Sequence, residues 1–384
     1  MRTRALWVLC VGWVLFASVA ASAFRVGPSS FHLEQAPGTE EAYALVITDD
    51  TDRAEEVRLY LGDWMRAPNG EHDWGIPLHG ARWTFARAFA AGETLLVRYT
   101  VRLAAGRDLT VSGEFATQEP RQTGVVVGPV LLTVGSVGQV GASAPSSPVS
   151  VTRTVEAVDP AGVVTLLLEA RAEGSFFGLT LYEVFSERAD LTSLEDGGGT
   201  FDTVNRSCSD WITLSESRLA LRPNESRDVT LRVLVPEGVS GTYWGVVFVE
   251  SAPTPEEREG TRILSIYRTA VKVYVTVPGT EERAGRVTDV RVTATGPLTA
   301  VVEFQNTGNV QLSVGGAVDV IDQTGATVRS LPIDEFLVLP GGRRELEVVD
   351  PSSSGLAAGV YQAVARLDFG GENPVGGVRS FRVK

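Results

Sequence analysis

Cysteine is nearly absent from this chain: Cys10 and Cys208 are the only two in 384 residues. Cys10 lies inside an apolar N-terminal run, so processing would leave Cys208 alone and exclude an intramolecular disulfide. Lysine is as scarce, with Lys272 and Lys384 set against 32 arginines. The three histidines, His32, His72 and His79, form no metal-ligand spacing with one another or with cysteine. No Gly-x-Ser-x-Gly elbow and no Gly-x-x-x-x-Gly-Lys loop occurs. Gly135 to Gly141 is glycine-rich but no helix pattern follows it, so it reads as loop. Asp49-Asp50-Thr51-Asp52 offers hard oxygens but lacks the later bidentate glutamate of a calcium loop, so it reads as a solvated turn. No pair of carboxylates stands out as acid and base. Catalysis, a bound metal and a cofactor are all unexpected.

Positive charge is also in deficit. The formal net charge is −13, and loss of Arg2 and Arg4 with a leader would take it to −15. Such a surface repels phosphate backbones and anionic bilayers, which argues against nucleic-acid and membrane-surface partners. Residues 1–23 read as that leader. Arg2 and Arg4 open it, Ala5 to Ala20 form the apolar run, and Ala21-Ser22-Ala23 precedes Phe24 as a small-residue cleavage site. The run is short for a span of about 20 residues, and no later run is long enough, so no membrane insertion is expected after cleavage.

Helical periodicity is nearly missing, and period two takes its place. Val57, Leu59 and Leu61 alternate with Arg58 and Tyr60; Leu95, Val97, Tyr99 and Val101 alternate with Arg98, Thr100 and Arg102. Val229, Leu231, Val233 and Val235 form a third apolar face, and Val271, Val273, Val275 and Val277 a fourth. Turn chemistry recurs at Ala91-Gly92-Glu93, Asn306-Thr307-Gly308-Asn309, Asp322-Gln323-Thr324-Gly325 and Pro340-Gly341-Gly342. The expected class is all-β, built of several Ig-like antiparallel sandwiches.

About 360 mature residues are too many for one sandwich of ~100. Residues 24–74 hold about three strands of pattern, too few for a closed core, and 200–280 supply what is missing. The expected order is therefore a discontinuous domain of 24–74 plus 200–280, an inserted domain of 75–199, and a C-terminal domain of 281–384. Gly141 to Pro148 reads as a linker or long loop, and Gly197-Gly198-Gly199 as a joint.

Two segments carry a resemblance. Phe24-Arg-Val-Gly-Pro-Ser, the block Pro223-Asn-Glu-Ser-Arg-Asp-Val-Thr-Leu, and Gly241-Thr-Tyr-Trp-Gly-Val-Val-Phe leading into a long strand Ile263 to Val277 are similar to the N-terminal domain of periplasmic pilus-assembly chaperones, the PapD-like Ig family. The resemblance implies a lysine on the long strand and an arginine on the first strand that together bind a client subunit's C-terminal carboxylate. Lys272 falls at the lysine's place, and alternation puts it with Tyr274 and Thr276 opposite the four valines. Arg25 is the candidate partner, although the best-aligned position holds Ser30. The resemblance further implies a strand-addition edge, for which the candidates are Leu264, Ile266, Arg268 and Ala270. Arg268 also suits an edge-blunting charge. The preceding acidic stretch Pro253-Thr-Pro-Glu-Glu-Arg-Glu-Gly reads as a mobile loop.

Gly162-Val-Val-Thr-Leu-Leu-Leu-Glu with Leu179-Thr-Leu-Tyr-Glu-Val-Phe, and Trp83-Thr-Phe with Ala91-Gly-Glu-Thr-Leu-Leu-Val, resemble the two halves of bacterial surface Ig-like repeats in reverse order. Trp211 and Trp244 read as core, while Trp74 and Trp83 read as staples of the insertion or as a sugar-binding platform. The resemblance implies an exported, non-catalytic Ig-like protein of the periplasm or cell envelope, binding an exported protein subunit by strand addition. The alternative is a structural or adhesive envelope protein. Oligomeric state and the role of Cys208 stay open.

Overall fold

The computed structural model describes residues 24–103, 108–133, 139–142, 147–258, 261–294, 296–352 and 355–383. The expected leader and part of the 141–148 linker lie outside the described residues. The chain begins with β1 (Phe24–Gly27), β2 (Ser30–Glu34), β3 (Glu40–Asp49) and β4 (Glu55–Gly62), then a small hairpin of β5 (Met65–Arg66) and β6 (His72–Asp73). Ten strands follow: β7 (Gly80–Phe89), β8 (Thr94–Arg102), β9 (Leu109–Glu119), β10 (Gln122–Leu132), β11 (Gln139–Ala142), β12 (Val149–Val158), β13 (Val163–Ala172), β14 (Phe176–Phe185), β15 (Asp190–Glu195) and β16 (Thr200–Thr203). Next come β17 (Ile212–Leu214), β18 (Arg218–Leu221), β19 (Ser226–Leu234), β20 (Gly241–Ser251), β21 (Thr254–Arg258), β22 (Thr261–Ser265) and β23 (Arg268–Val277). The chain closes with β24 (Gly285–Thr293), β25 (Thr299–Asn306), β26 (Leu312–Ile321), β27 (Thr327–Val338), β28 (Arg343–Val349), β29 (Gly359–Asp368) and β30 (Val375–Val383).

These strands form three face-to-face sheet pairs, so the fold is all-β and Ig-like. The first pair sets β1-β3-β19-β17 against β18-β4-β20-β23-β2. Between them lie Leu45, Ile47, Leu59, Val229, Val247 and the four valines of β23. The second pair sets β10-β9-β14-β7-β16 against β11-β12-β13-β8-β15, around Trp83, Tyr99, Phe115, Leu166 and Leu181. The third sets β24-β25-β28 against β27-β26-β29-β30, around Val302, Phe304, Leu312 and Leu367.

Alternation fixes the phase of each strand. Val271, Val273, Val275 and Val277 are fully buried, each stabilising by roughly 1.5–3 kcal/mol. A one-residue slip would turn all four out of the first core and Lys272 into it, so one register wins. The outer face of that sheet is covered too. Trp64, Ile76, Trp244, Val246, Phe248, Tyr274 and Leu339 form a fourth cluster joining the first pair, the β5–β6 segment and the third pair.

Polar contacts tie the second pair to the first. Arg188 donates to Asp63 at 3.1 Å and to Asp210 at 3.0 Å, and His79 bonds the same Asp210. The third pair is held by Thr242 N–H donating to Asn309 O at 2.8 Å and Glu345 N–H donating to Pro68 O at 2.8 Å.

Two local expectations change. The strand anticipated over Ile263 to Val277 is broken at Ile266-Tyr267, where Ser251 Oγ accepts the Tyr267 N–H at 3.0 Å in place of a ladder partner. The acidic stretch read as a loop forms β21, which pairs with β22. Among the tryptophans, Trp83 is fully buried, so it offers no face to a sugar. Trp244 is core, but of the outer-face cluster, and Trp211 is half-buried against Tyr243 at 4.4 Å between ring centroids.

Candidate anion site and open strand edge

β20 is hydrogen-bonded along the whole of β23, from Glu250 opposite Arg268 to Gly241 opposite Val277. On the other side β2 runs parallel to β23 but covers only Lys272 to Thr276, with Ser30 opposite Lys272. From Arg268 to Val271, no strand among the described residues pairs with that second edge. Just before it, Leu264 is 64% exposed and Ile266 54% exposed. Leu264 lies on β22, paired with β21, and Ile266 lies in the break before β23, so two large apolar side chains stand in solvent beside a free backbone edge of the kind proteins ordinarily blunt. Arg268 turns back over the Phe248 ring, 5.0 Å from its centroid, leaving the edge itself clear. Ala270, opposite Phe248, is half-buried.

Where the free edge ends, cations gather. Lys272 Nζ lies 3.4 Å from His72 Nε2 and 5.9 Å from the Trp64 ring centroid. Arg66 donates to the same His72 Nε2 at 3.0 Å and to Gly70 O at 3.1 Å. Arg344, from the third sheet pair, donates to Pro68 O and Leu337 O, both at 3.2 Å. Gly70 has φ +93, and a Cβ there would run into the Arg344 guanidinium, so the hairpin tip can close only on glycine. Among the described residues no carboxylate lies within ion-pair distance of Lys272, Arg66 or Arg344.

The consequence shows in their proton affinities. Burial first, and then Arg66, hold Lys272 below the ordinary lysine value. Burial, Arg66 and Lys272, in that order, hold His72 down. Burial and Arg66 do the same to Arg344. With Nε2 accepting from two cationic donors, His72 is the neutral Nδ1–H tautomer. A cavity of about 370 Å³ opens beside Arg66 and Arg344; its carboxylate, Glu335, accepts from Ser313 at 3.2 Å. Three cations without a counter-charge form a place where an anion is favoured.

The sequence candidates are thus partly brought together. Lys272, Ala270, Arg268, Ile266 and Leu264 lie along one run of chain. Arg25 does not join them: it sits on β1 in the opposite sheet and pairs with Asp50 at 3.0 Å. The groups that do face Lys272 come from the β5–β6 hairpin. Sequence reasoning passed over Arg66 because two-residue strands carry no periodic signal. Trp64 and Trp74 flanking the Asn69-Gly70 turn were the available clue. No group of three or more His, Cys, Asp or Glu side chains able to hold a metal occurs among the described residues. No helix among them is long and apolar enough to cross a membrane.

No family model matches the chain, and no characterised protein matches it in sequence. Solved structures to which it is similar are chaperones of fimbriae and pili. The class 5 fimbriae chaperone CfaA is 7% identical over 93% of this chain and 98% of that chain, with a TM-score of 0.33. The chaperone YadV is 8% identical over 94% of this chain and 100% of that one, with a TM-score of 0.32. The SafB chaperone of Salmonella enterica, solved in complex with the SafA pilin, is 10% identical over 93% and 96%, with a TM-score of 0.29.

Proposed function

We propose that this is an exported, non-catalytic chaperone-like protein that binds an extended segment of an exported protein subunit by strand addition along β23. In this reading residues 24–74 and 200–280 act as one Ig-like domain, 75–199 is inserted into it, and 281–384 is a third. The observation that carries the reading is the junction at Lys272: the free edge of β23 stops where three unpaired cations begin. β2 is parallel to β23, so a client strand lying in line with β2 would end its chain at Ser30 and Lys272. Its terminal carboxylate would then meet Lys272 and Arg66. Main-chain bonds along residues 268–271 contribute affinity, while Leu264 and Ile266 enter apolar pockets of the client.

Main-chain bonds contribute a net ~0.5–1.5 kcal/mol each, and a charge-assisted bond from half-buried Lys272 to the terminal carboxylate fixes where the client chain ends. The test is affinity capture from an envelope extract of the source cell, with the chain from Phe24 and its Lys272→Ala and Leu264→Asp/Ile266→Asp variants in parallel. A discrete β-rich subunit held by the parent and lost by both variants supports strand addition. Equal recovery by all three baits removes it.

A further inference from the structure

A cavity of about 390 Å³ opens where the three sheet pairs meet. Met65 of the β5–β6 hairpin, Trp244 of the first pair, and Leu339 and Pro340 of the turn between β27 and β28 give it apolar walls. Thr203, at the end of β16, adds the second pair. Its charged residues are Arg66 and Arg206, and among the described residues no aspartate or glutamate lines it. The cavity beside Arg344 differs, because its wall holds Glu335. Arg206 is half-buried and tethered without being neutralised. Its Nη1 donates to Ser240 O at 2.8 Å, and its guanidinium lies 5.1 Å from the Tyr243 ring centroid. Among the described residues no carboxylate comes within ion-pair distance of it. A guanidinium carries five N–H donors in a planar fork, and this tether uses only part of them. Arg82, Arg153 and Arg188 each find a carboxylate instead.

We infer that this junction cavity is a second anion site, which takes a small organic carboxylate with an apolar body. Its place and make-up are those of a small-molecule site: it lies between domains, falls within the roughly 300–1,000 Å³ such sites occupy, and sets a few polar groups among apolar walls. Charge selects the anion. Two arginines without a counter-charge favour a carboxylate, and the missing acids leave nothing to repel it. The walls select the body, since Trp244, Leu339 and Pro340 are buried and a bare inorganic anion would leave their apolar faces uncovered. The inference does not rest on strand addition at β23: of the cavity's residues, only Arg66 belongs to the Lys272 site.

The test is a chemical-shift titration of the chain from Phe24, isotope-labelled at the glycine nitrogens, with hexanoate, hexanol and acetate as probes. Gly308, Gly341 and Gly342 line the cavity, so their amides report its occupancy. Hexanoate should shift them saturably, with a Kd on the order of 1 mM for so small a ligand. Hexanol lacks the charge and acetate the body, so each should bind at least about tenfold more weakly. Arg206→Gln should weaken hexanoate at least about tenfold, and Arg206→Lys, which keeps the charge, should restore most of that loss. Gly70, beside the Lys272 site, should move less than the three cavity glycines. Equal affinity for hexanoate and hexanol, equal affinity in the parent and Arg206→Gln, or shifts confined to Gly70 would each overturn the inference, as would the absence of any saturable shift.

Discussion

Ser30 stands directly opposite Lys272, at the point where β2 starts its parallel run along β23. A serine offers no charge there, so the second cation near Lys272 comes from across the sheet face, from Arg66 on the β5–β6 hairpin. The pairing makes a measurable prediction, because the chain has only two lysines. With lysine labelled at Cε, Lys272 should titrate below the ordinary value of about 10.4. Arg66→Ala should move its midpoint up, since burial is the first cause of the depression and Arg66 the second. A Lys272 midpoint that ignores Arg66 would mean the two charges do not share a site.

The open edge makes a second prediction that separates binding from folding. Leu264 and Ile266 are each more than half exposed, so replacing them by aspartate removes little buried area. Leu264→Asp/Ile266→Asp should leave the thermal midpoint within the scatter of surface substitutions, ±0.5 kcal/mol. Partner capture should nevertheless fall at least about tenfold, the equivalent of ~1.4 kcal/mol. A stability loss comparable to the binding loss would place these side chains in a core.

A third prediction concerns the second sheet pair. Arg153 is fully buried, and its guanidinium donates to Glu183 at 2.8 and 2.7 Å. Tyr99 completes the network by donating to Glu183 at 2.8 Å. Burial drives Glu183 upward while Arg153 opposes it. Removing one partner strands the other charge, so Glu183→Leu should cost about 3–5 kcal/mol in urea unfolding. The double change Arg153→Met/Glu183→Leu should recover most of that loss, because an apolar pair of similar volume has no desolvation to offset. If the double variant is as unstable as the single one, the network acts through shape and not charge.

How far the sequence reaches is clearest around Lys272. Its phase on β23 could be read from the four alternating valines, because burial of one face is a local, periodic signal. Its neighbours could not: Arg66, His72 and Arg344 lie about 200, 200 and 70 positions away by chain, and meet only because the β5–β6 segment packs under Leu339. The break at Ile266-Tyr267 was hidden for a similar reason. Both halves have strand composition, and what divides them is a hydroxyl from Ser251 on the neighbouring strand. Arg25 looked suitable by charge and position near the chain start, yet β1 and β2 belong to different sheets, and a turn of two residues decides which arm faces β23. The Ig-like class itself rests on dozens of alternating positions and was the most legible feature.

His72 supplies a pH prediction whose sign follows from its surroundings. Burial, Arg66 and Lys272 all lower its proton affinity in the folded chain. Between that lowered value and the ordinary one near 6.5, the unfolded chain binds more protons than the folded chain, so stability rises with pH. The contribution is complete above about pH 6.5 and is lost as pH falls through the folded value. His72→Gln keeps an acceptor for Arg66 and cannot be charged. Thermal midpoints between pH 7 and 5 should therefore fall less steeply for His72→Gln than for the parent. Parallel curves would show that His72 is free to protonate where it stands.

Cys208 closes the set, because its isolation makes it a reporter. It is fully buried in the first core, with Sγ donating weakly to Val273 O at 3.8 Å, and burial foremost, then Asp63, push its thiol far above the usual range. A thiolate is the reactive form, so the native chain from Phe24 should not react with a thiol reagent at pH 8. In denaturant it should take up one label per chain. The site is also tight: a Cβ on Gly245 would lie 3.4 Å from Cys208 Sγ and 2.7 Å from Ser209 Oγ. Cys208→Ala should cost roughly 1–2 kcal/mol from lost burial and the small cavity it leaves. Native-state labelling should then track global unfolding across a denaturant series. Labelling that runs ahead of unfolding would mean the first sheet pair opens locally beside β23, on the strand proposed to receive the client.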